Sequence, residues 1–263
     1  MQAAPGELSL PSTVTRDIHL LRDLIKRDLT ARFTGSGLGL FWAVLQPAIL
    51  IAVYWFIFSF MIPARQQPGE NYLYFLITGL IPWFAISEGL MRSMTSIVDN
   101  APIVRRLPLR SELLVIVPNA SAIVFEVIAL ILFIFAITWI DGWPHGLWLL
   151  PAAVAIQLVL QVGISLFVAA TYVFLRDINQ ILGFVLAVVF YLSPILYPAT
   201  GRFQKYLAWN PLTPLFGLYR SAVLGAALPA ARSIVLLLVI TTAITAASFT
   251  IFRRAQRVFV DLI

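Results

Sequence analysis

The chain has 263 residues, of which 60% are hydrophobic and only 11% charged, with a mean hydropathy of +0.92. A soluble domain carries about 25% charged residues, so this chain cannot cover a water-facing surface and reads as one integral membrane domain. Its 18 Lys and Arg against 12 Asp and Glu leave a charge of +6, dispersed between apolar runs, which argues against nucleic acid, and the lack of cysteine excludes disulfides and thiolate metal sites.

The first predicted element is an arm. Val14, Ile18, Leu21, Ile25, Leu29 and Phe33 recur at helical spacing, while Arg16, Asp17, Arg22, Asp23, Lys26, Arg27 and Asp28 occupy the opposite face, as in an amphipathic helix lying in the headgroup plane or against a cytoplasmic partner. The stretch TGSGLG, Thr34 to Gly39, then disfavours further helix. The first long apolar run starts only at Leu38, so the arm is not expected to be a cleaved signal. This divides the chain into an arm over 1–36 and a single membrane domain over 37–263.

Six apolar segments follow, near Leu38 to Ile62, Tyr72 to Leu90, Glu112 to Ile140, Leu147 to Leu175, Ile178 to Tyr197 and Ser233 to Phe252. As helices, segments of about 20 residues or more cross ~30 Å of hydrocarbon. Thirteen of the 18 basic residues fall on one side of this arrangement, among them Arg22, Arg92, Arg105, Arg176 and Arg253. That side is expected to be cytoplasmic, with both termini there.

Three connections carry information. In SIVDNAPIVRRLPLRSELL, Ser96 to Leu114, Asp99 or Asn100 can cap a two-turn helix that starts near Pro102 and is stopped by Pro108. Ile103, Val104 and Leu107 would be its apolar contacts, with Arg105 and Arg106 beside them; an ordinary charged loop is the alternative. Arg176 and Asp177 interrupt some fifty apolar residues, and two charges in hydrocarbon would cost several kcal/mol, so they mark a tight turn at the surface. The third connection is apolar and broken by prolines in WNPLTPLFGLYRSAVLG, Trp209 to Gly225, which fits short helices dipping back into the outer leaflet.

Catalytic patterns are scarce. There is no GxxxxGK[ST] phosphate loop, Gly35, Gly37 and Gly39 lack a dinucleotide fingerprint, and His19 and His145 stand alone, so no catalytic residue and no metal site is assigned. Asn119-Ala120-Ser121 is formally a glycosylation triplet but falls inside a span. The membrane-embedded charges are Glu88 and Arg92, spaced to pair at i,i+4, and Glu126 in mid-span, expected to face the protein interior or a water-filled path. Aromatics crowd the first and fifth segments: Trp42, Tyr54, Trp55, Phe56, Phe58, Phe60, Phe190 and Tyr191. Most read as interfacial belt and packing, yet such rings also stack on sugar C–H faces, and Tyr54, Trp55 and Phe58 are the first to test.

The blocks RDLTARFTGSGLGLFWAVLQP, YFLITGLIPWF, SEGLMRSMTSIVDNAPIVRRLPLRSELL, FLRDINQILGFVLAVVFYLSPILYP and WNPLTPLFGLYR, in this order, resemble the permease subunit of type-2 ABC exporters for polysaccharides, the O-antigen, capsule and teichoic-acid exporters. The resemblance implies an all-α fold of six transmembrane helices with an interfacial arm, a coupling helix and short external re-entrant helices, in the bacterial inner membrane. It implies a homodimer with two copies of a separate ATPase that binds ATP and Mg, no cofactor on this chain, and a lipid-linked glycan moved outward. By the same resemblance Ile103 to Leu107 match the coupling helix, and the arm with Arg22, Lys26, Arg27 and Arg32 matches the interfacial helix. A glycan conduit would use Tyr54, Trp55, Phe58, Phe190 and Tyr191, and an outer gate Trp209, Pro211, Pro214, Tyr219 and Arg220.

Two other classes stay open. An ATPase-independent channel or secondary carrier would make Glu126 indispensable under a proton gradient, although no repeat between halves is visible. A membrane enzyme acting on lipid-linked sugars would want surface clusters of acids or histidines that the sequence does not show.

Overall fold

The computed structural model describes residues 10–32, 34–35, 37–57, 72–106, 110–198, 207 and 209–262, and among these every regular element is helical. Helix α1 spans Leu10–Ala31, and the chain then turns through Gly35 and Gly39, both at positive φ (+85° and +51°), a backbone that glycine adopts without strain. The expected break after the arm is therefore present. Helix α2 follows at Trp42–Phe56, α3 at Tyr72–Asp99, α4 at Ala101–Arg106, α5 at Glu112–Asp141 and α6 at Leu150–Phe174. Helices α7 at Ile178–Leu192, α8 at Leu212–Leu224, α9 at Ala231–Ala255 and α10 at Phe259–Leu262 complete the described chain.

Among the described residues, four stretches are long and apolar enough to cross a membrane: Tyr72–Asp99, Glu112–Asp141, Leu147–Phe174 and Ala231–Val258, each of 28 or 30 residues. At 1.5 Å per residue they reach roughly 42–45 Å, more than the ~30 Å hydrocarbon layer. The protein is a multi-pass membrane protein. Helices α2 and α7 are apolar but have 15 residues each, about 22 Å, which falls short of that thickness. The fifth segment was expected to run to Tyr197; its helix stops at Leu192 because Pro194 pushes Ser193 into an extended conformation (φ −103°, ψ 148°). The second segment, expected to end near Leu90, continues as α3 to Asp99, since Ser93, Met94, Ser96 and Ile97 are buried and keep its last turns inside the bundle.

Helix α3 is the central post, packed on both α5 and α6, with α9 on the far side of α6. Between hydrocarbon-soluble helices the hydrophobic effect gives little attraction, so close approach and buried hydrogen bonds hold the bundle. Asn119 of α5 donates to Ser93 Oγ of α3 (2.6 Å) and to Val115 O (2.8 Å), and accepts from Ser165 Oγ of α6 (3.2 Å). This places the formal glycosylation triplet deep in the core. Gln161 Nε2 donates to Ala85 O (3.1 Å) across the gap left by Gly89, where a Cβ would stand 1.8 Å from that nitrogen. Gly163 likewise lets α6 approach Thr245 of α9.

The turn at Arg176 and Asp177 joins α6 to α7 as expected, with Leu175 extended and Arg176 lying over the Tyr172 ring (5.4 Å). The cap predicted for α4 is different. Asn100 does stand at the start of α4, its carbonyl accepting from Val104 N (3.1 Å), but its side-chain amide turns back to the end of α3 and donates to Ser96 O (2.8 Å).

Candidate functional site

The end of the bundle that carries Arg105, Arg110, Arg176 and Arg253 is called the basic end below. There α1 is fastened to the bundle rather than lying apart from it. Arg32 grips Glu88 of α3 with both guanidinium nitrogens, the second at 3.3 Å, and lies over the Phe125 ring of α5 (4.2 Å). Asp28 accepts from Arg92 Nη2 (2.6 Å). Glu88 and Arg92 do form the expected i,i+4 ion pair (3.7 Å), and each has a closer partner at the end of the arm, Arg32 just past α1 and Asp28 in its last turn. The two residues therefore form a four-membered clamp with Asp28 and Arg32, and Asp28 leaves the polar face on which periodicity had placed it. Arg22, Lys26 and Arg27 remain exposed, as the arm's outer face requires.

A single residue, Asn100, separates the end of α3 from the start of α4. Pro102 and Arg105 are exposed, and Val104, expected as an apolar contact of this helix, is partly buried against an apolar cluster of Ile97, Val115, Ala169, Phe252 and Phe259. The side chains of Ile103 and Arg106, and the whole of Leu107, lie outside the described residues. The sequence reading missed the chain's last turns as a brace. Phe259 of α10 is fully buried, edge-on to Phe252 (5.4 Å) and near Phe174 (6.5 Å), with α10 touching α4. The seven-residue spacing of Phe252 and Phe259, two helical turns, was the available signal. Arg253 of α9 closes the same end by donating to Glu112 of α5 (3.1 Å).

The aromatic residues separate. Trp55 and Phe56 of α2 are half exposed and Tyr54 is partly buried against the main core, while Phe58 lies outside the described residues. Phe190 sits between Trp83 (5.6 Å) and Tyr191 (5.3 Å), and Tyr191 is 64% exposed.

At the opposite end, α8 is inside the bundle. Pro211 precedes it, Gly225 in the left-handed conformation (φ +66°) ends it, and Leu215, Phe216, Tyr219 and Ala222 are fully buried. Trp209 is exposed and Pro214 buried. Arg220, expected at a gate, donates from Nη2 to Pro194 O (2.6 Å) and stacks on Phe75 (3.5 Å), which ties α8 to α3 and to the end of α7. Tyr219 reaches Glu126. Its hydroxyl lies 2.6 Å from Glu126 Oε1 and 2.8 Å from Gln157 Oε1, and Gln157 Nε2 lies 2.5 Å from Glu126 Oε2, all buried. Glu126 thus faces the interior, as mid-span charge predicted, with partners that periodicity could not name. A cavity of about 410 Å³ lies between α2, α3 and α5, bounded by Arg32, Gln46, Pro47, Ile81, Phe125 and Glu126, so the clamp and Glu126 border one space.

Fold and site together define an all-helical, multi-pass membrane protein whose buried polar groups tie its helices to one another. The chain belongs to the ABC-2 type transporter family, whose model matches residues 19–224. It is 26% identical over 258 residues to the O-antigen export system permease protein RfbA of Myxococcus xanthus, covering 93% of this chain and 95% of the relative. A protein of the same name from Klebsiella pneumoniae is 27% identical over 220 residues, covering 80% and 82%. The polysialic acid transport protein KpsM of Escherichia coli is 26% identical over 207 residues, covering 76% and 80%.

Proposed function

We propose that this chain is the transmembrane permease subunit of an ATP-driven polysaccharide exporter of the O-antigen type, which moves a lipid-linked glycan outward across the bacterial inner membrane. The observation that carries the reading is the agreement with a named export permease over 93% of the chain. The chain works as a homodimer with two copies of an ATPase subunit, which binds ATP and Mg, and it performs no hydrolysis itself. Six crossings are completed by α2 and α7.

The basic end faces the cytoplasm because cationic loops are retained there. The ATPase seats against α4 by way of the exposed Pro102 and Arg105, together with Ile103, Arg106 and Leu107. Nucleotide-driven movement of α4 passes directly to α3, and through the clamp to α1. The half-exposed aromatics Trp55 and Tyr191 line the glycan path in the dimer, with Tyr54 and Phe190 as their neighbours in sequence, Phe58 contributes to the same path, and the segment from Trp209 to Arg220 closes its outer mouth.

The test is a tagged copy of this chain expressed with the ATPase encoded in the same cells. Copurification of the ATPase, and surface glycan that disappears when the ATPase loses its phosphate-loop lysine, are the expected results. Export that survives that loss, or transport by the purified chain alone in proteoliposomes, overturns the proposal in favour of an independent carrier.

A further inference from the structure

The meeting point of Glu126 on α5, Gln157 on α6 and Tyr219 on α8 contains three short contacts between polar atoms, and each needs one hydrogen. Tyr219 supplies one, and the Gln157 amide, which faces one partner with its nitrogen and the other with its oxygen, supplies one. The third is missing if Glu126 is a carboxylate. Two oxygens would then face each other at 2.8 Å with no hydrogen between them, and one hydroxyl hydrogen shared between both acceptors would serve neither well. Exchanging the Gln157 nitrogen and oxygen does not help, because the bare contact then moves to Gln157 and Glu126. The count is independent of how the amide is oriented.

We infer that Glu126 is held as the neutral acid and that the three side chains form a closed hydrogen-bonded ring. The acid donates to Tyr219, Tyr219 to the Gln157 carbonyl, and the Gln157 amide back to the second oxygen of Glu126. Among the described residues no cation pairs with the carboxyl. On α8 the adjacent Arg220 is turned to Pro194 O and Phe75; Arg32 and Glu88, at the far side of the shared cavity, are paired with each other; Glu112 and Asp141 stand at the two ends of α5; and α6 carries no Asp, Glu, Lys or Arg. A neutral acid avoids the several kcal/mol that an ion at membrane depth costs. Gln157 lies seven residues into α6, roughly 10 Å from that helix's start. The ring is therefore a pin that holds α8 at that depth between α5 and α6, and Glu126 is a positioning residue and not a proton carrier.

Infrared difference spectroscopy of the full chain in lipid nanodiscs at neutral pH tests this without reference to transport. The expected result is a protonated-acid carbonyl band that shifts on labelling with carbon-13 glutamate and is absent in Glu126→Gln. Because a carboxamide can donate where the acid did, Glu126→Gln keeps the thermal midpoint within a few degrees, whereas Glu126→Ala and Tyr219→Phe lower it and make a cysteine placed at Ser221 label at least 10-fold faster. The absence of a glutamate-derived acid band from the unmutated chain overturns the proposal, as does a band that persists in Glu126→Gln. Loss of export with the band intact would strike the transport reading alone.

Discussion

The clamp between α1 and α3 makes a quantitative prediction. The side chains of Arg32 and Glu88 are 23% and 30% exposed, between a surface pair and a buried one. Exposed pairs contribute about 0.2–1 kcal/mol, while removing one partner of a buried pair costs about 3–5 kcal/mol, so a half-buried, two-pronged pair should couple by about 1–2 kcal/mol. The chain has no cysteine, and Leu29 is half-buried on the docked arm, so Leu29→Cys is a unique reporter of undocking. Since about 1.4 kcal/mol is tenfold, Arg32→Met and Glu88→Gln should each raise the maleimide labelling rate of that cysteine by about 5- to 30-fold. The double variant should label little faster than the worse single one, because both remove the same interaction. If the two increases multiply instead, the pair is not coupled, the arm is held by its apolar contacts with α5, and the clamp has no mechanical meaning.

Gly89→Ala and Gly163→Ala should each lower the thermal midpoint, by about 1–3 kcal/mol of stability, because a Cβ at the first drives Gln161 off Ala85 O and at the second meets the Thr245 backbone at 2.9 Å; an unchanged midpoint would mean that the helices separate at no cost. Arg105→Asp, at an exposed position, should abolish ATPase copurification and leave membrane insertion and the midpoint unchanged, whereas Phe259→Ala should cost about 3–5 kcal/mol of stability as a core truncation and weaken ATPase binding only by loosening α4. Trp55→Ala, at a half-exposed ring, should change glycan-stimulated ATP turnover without shifting the midpoint; a shifted midpoint with normal turnover would return the ring to packing.

Composition and hydropathy were enough to reveal a helical membrane bundle, since a chain with 11% charged residues has no other solvent for its surface. Local chemistry also made the breaks legible: the glycines after α1, the turn at Arg176, and the proline-bounded α8. What stayed hidden was every contact between distant segments. Periodicity assigns a face to Asp28 but cannot say that the face meets Arg92, 64 residues away. An i,i+4 spacing suggests that Glu88 binds Arg92, because the sequence alone does not count the competitors, and Arg32 is the better one by geometry: two nitrogens on two oxygens. Glu126 was visible as an anomaly, and its ring was not, since Gln157 and Tyr219 are unremarkable in their own segments.

These hidden contacts converge on α4. Six residues, α4 is too short to be stable alone, because helices below about 12 residues are marginal without tertiary support. Its support comes from two directions. Helix α3 runs into it and is clamped above by α1, while Phe259, at the far end of the sequence, fills the space behind Val104. A force applied at Arg105 is therefore passed into the elements packed on α4. It must move α3 and the Phe252–Phe259 cluster together, and Asn119 and Gln161 carry the displacement from α3 into α5 and α6. Helix α8 lies beyond, tied to the same helices by the Glu126 ring. The structure thus joins the exposed short helix to the buried α8 through buried hydrogen bonds, and a variant that severs Asn119 from Ser93, such as Asn119→Leu, should leave the proposed ATPase binding at α4 intact while uncoupling hydrolysis from export.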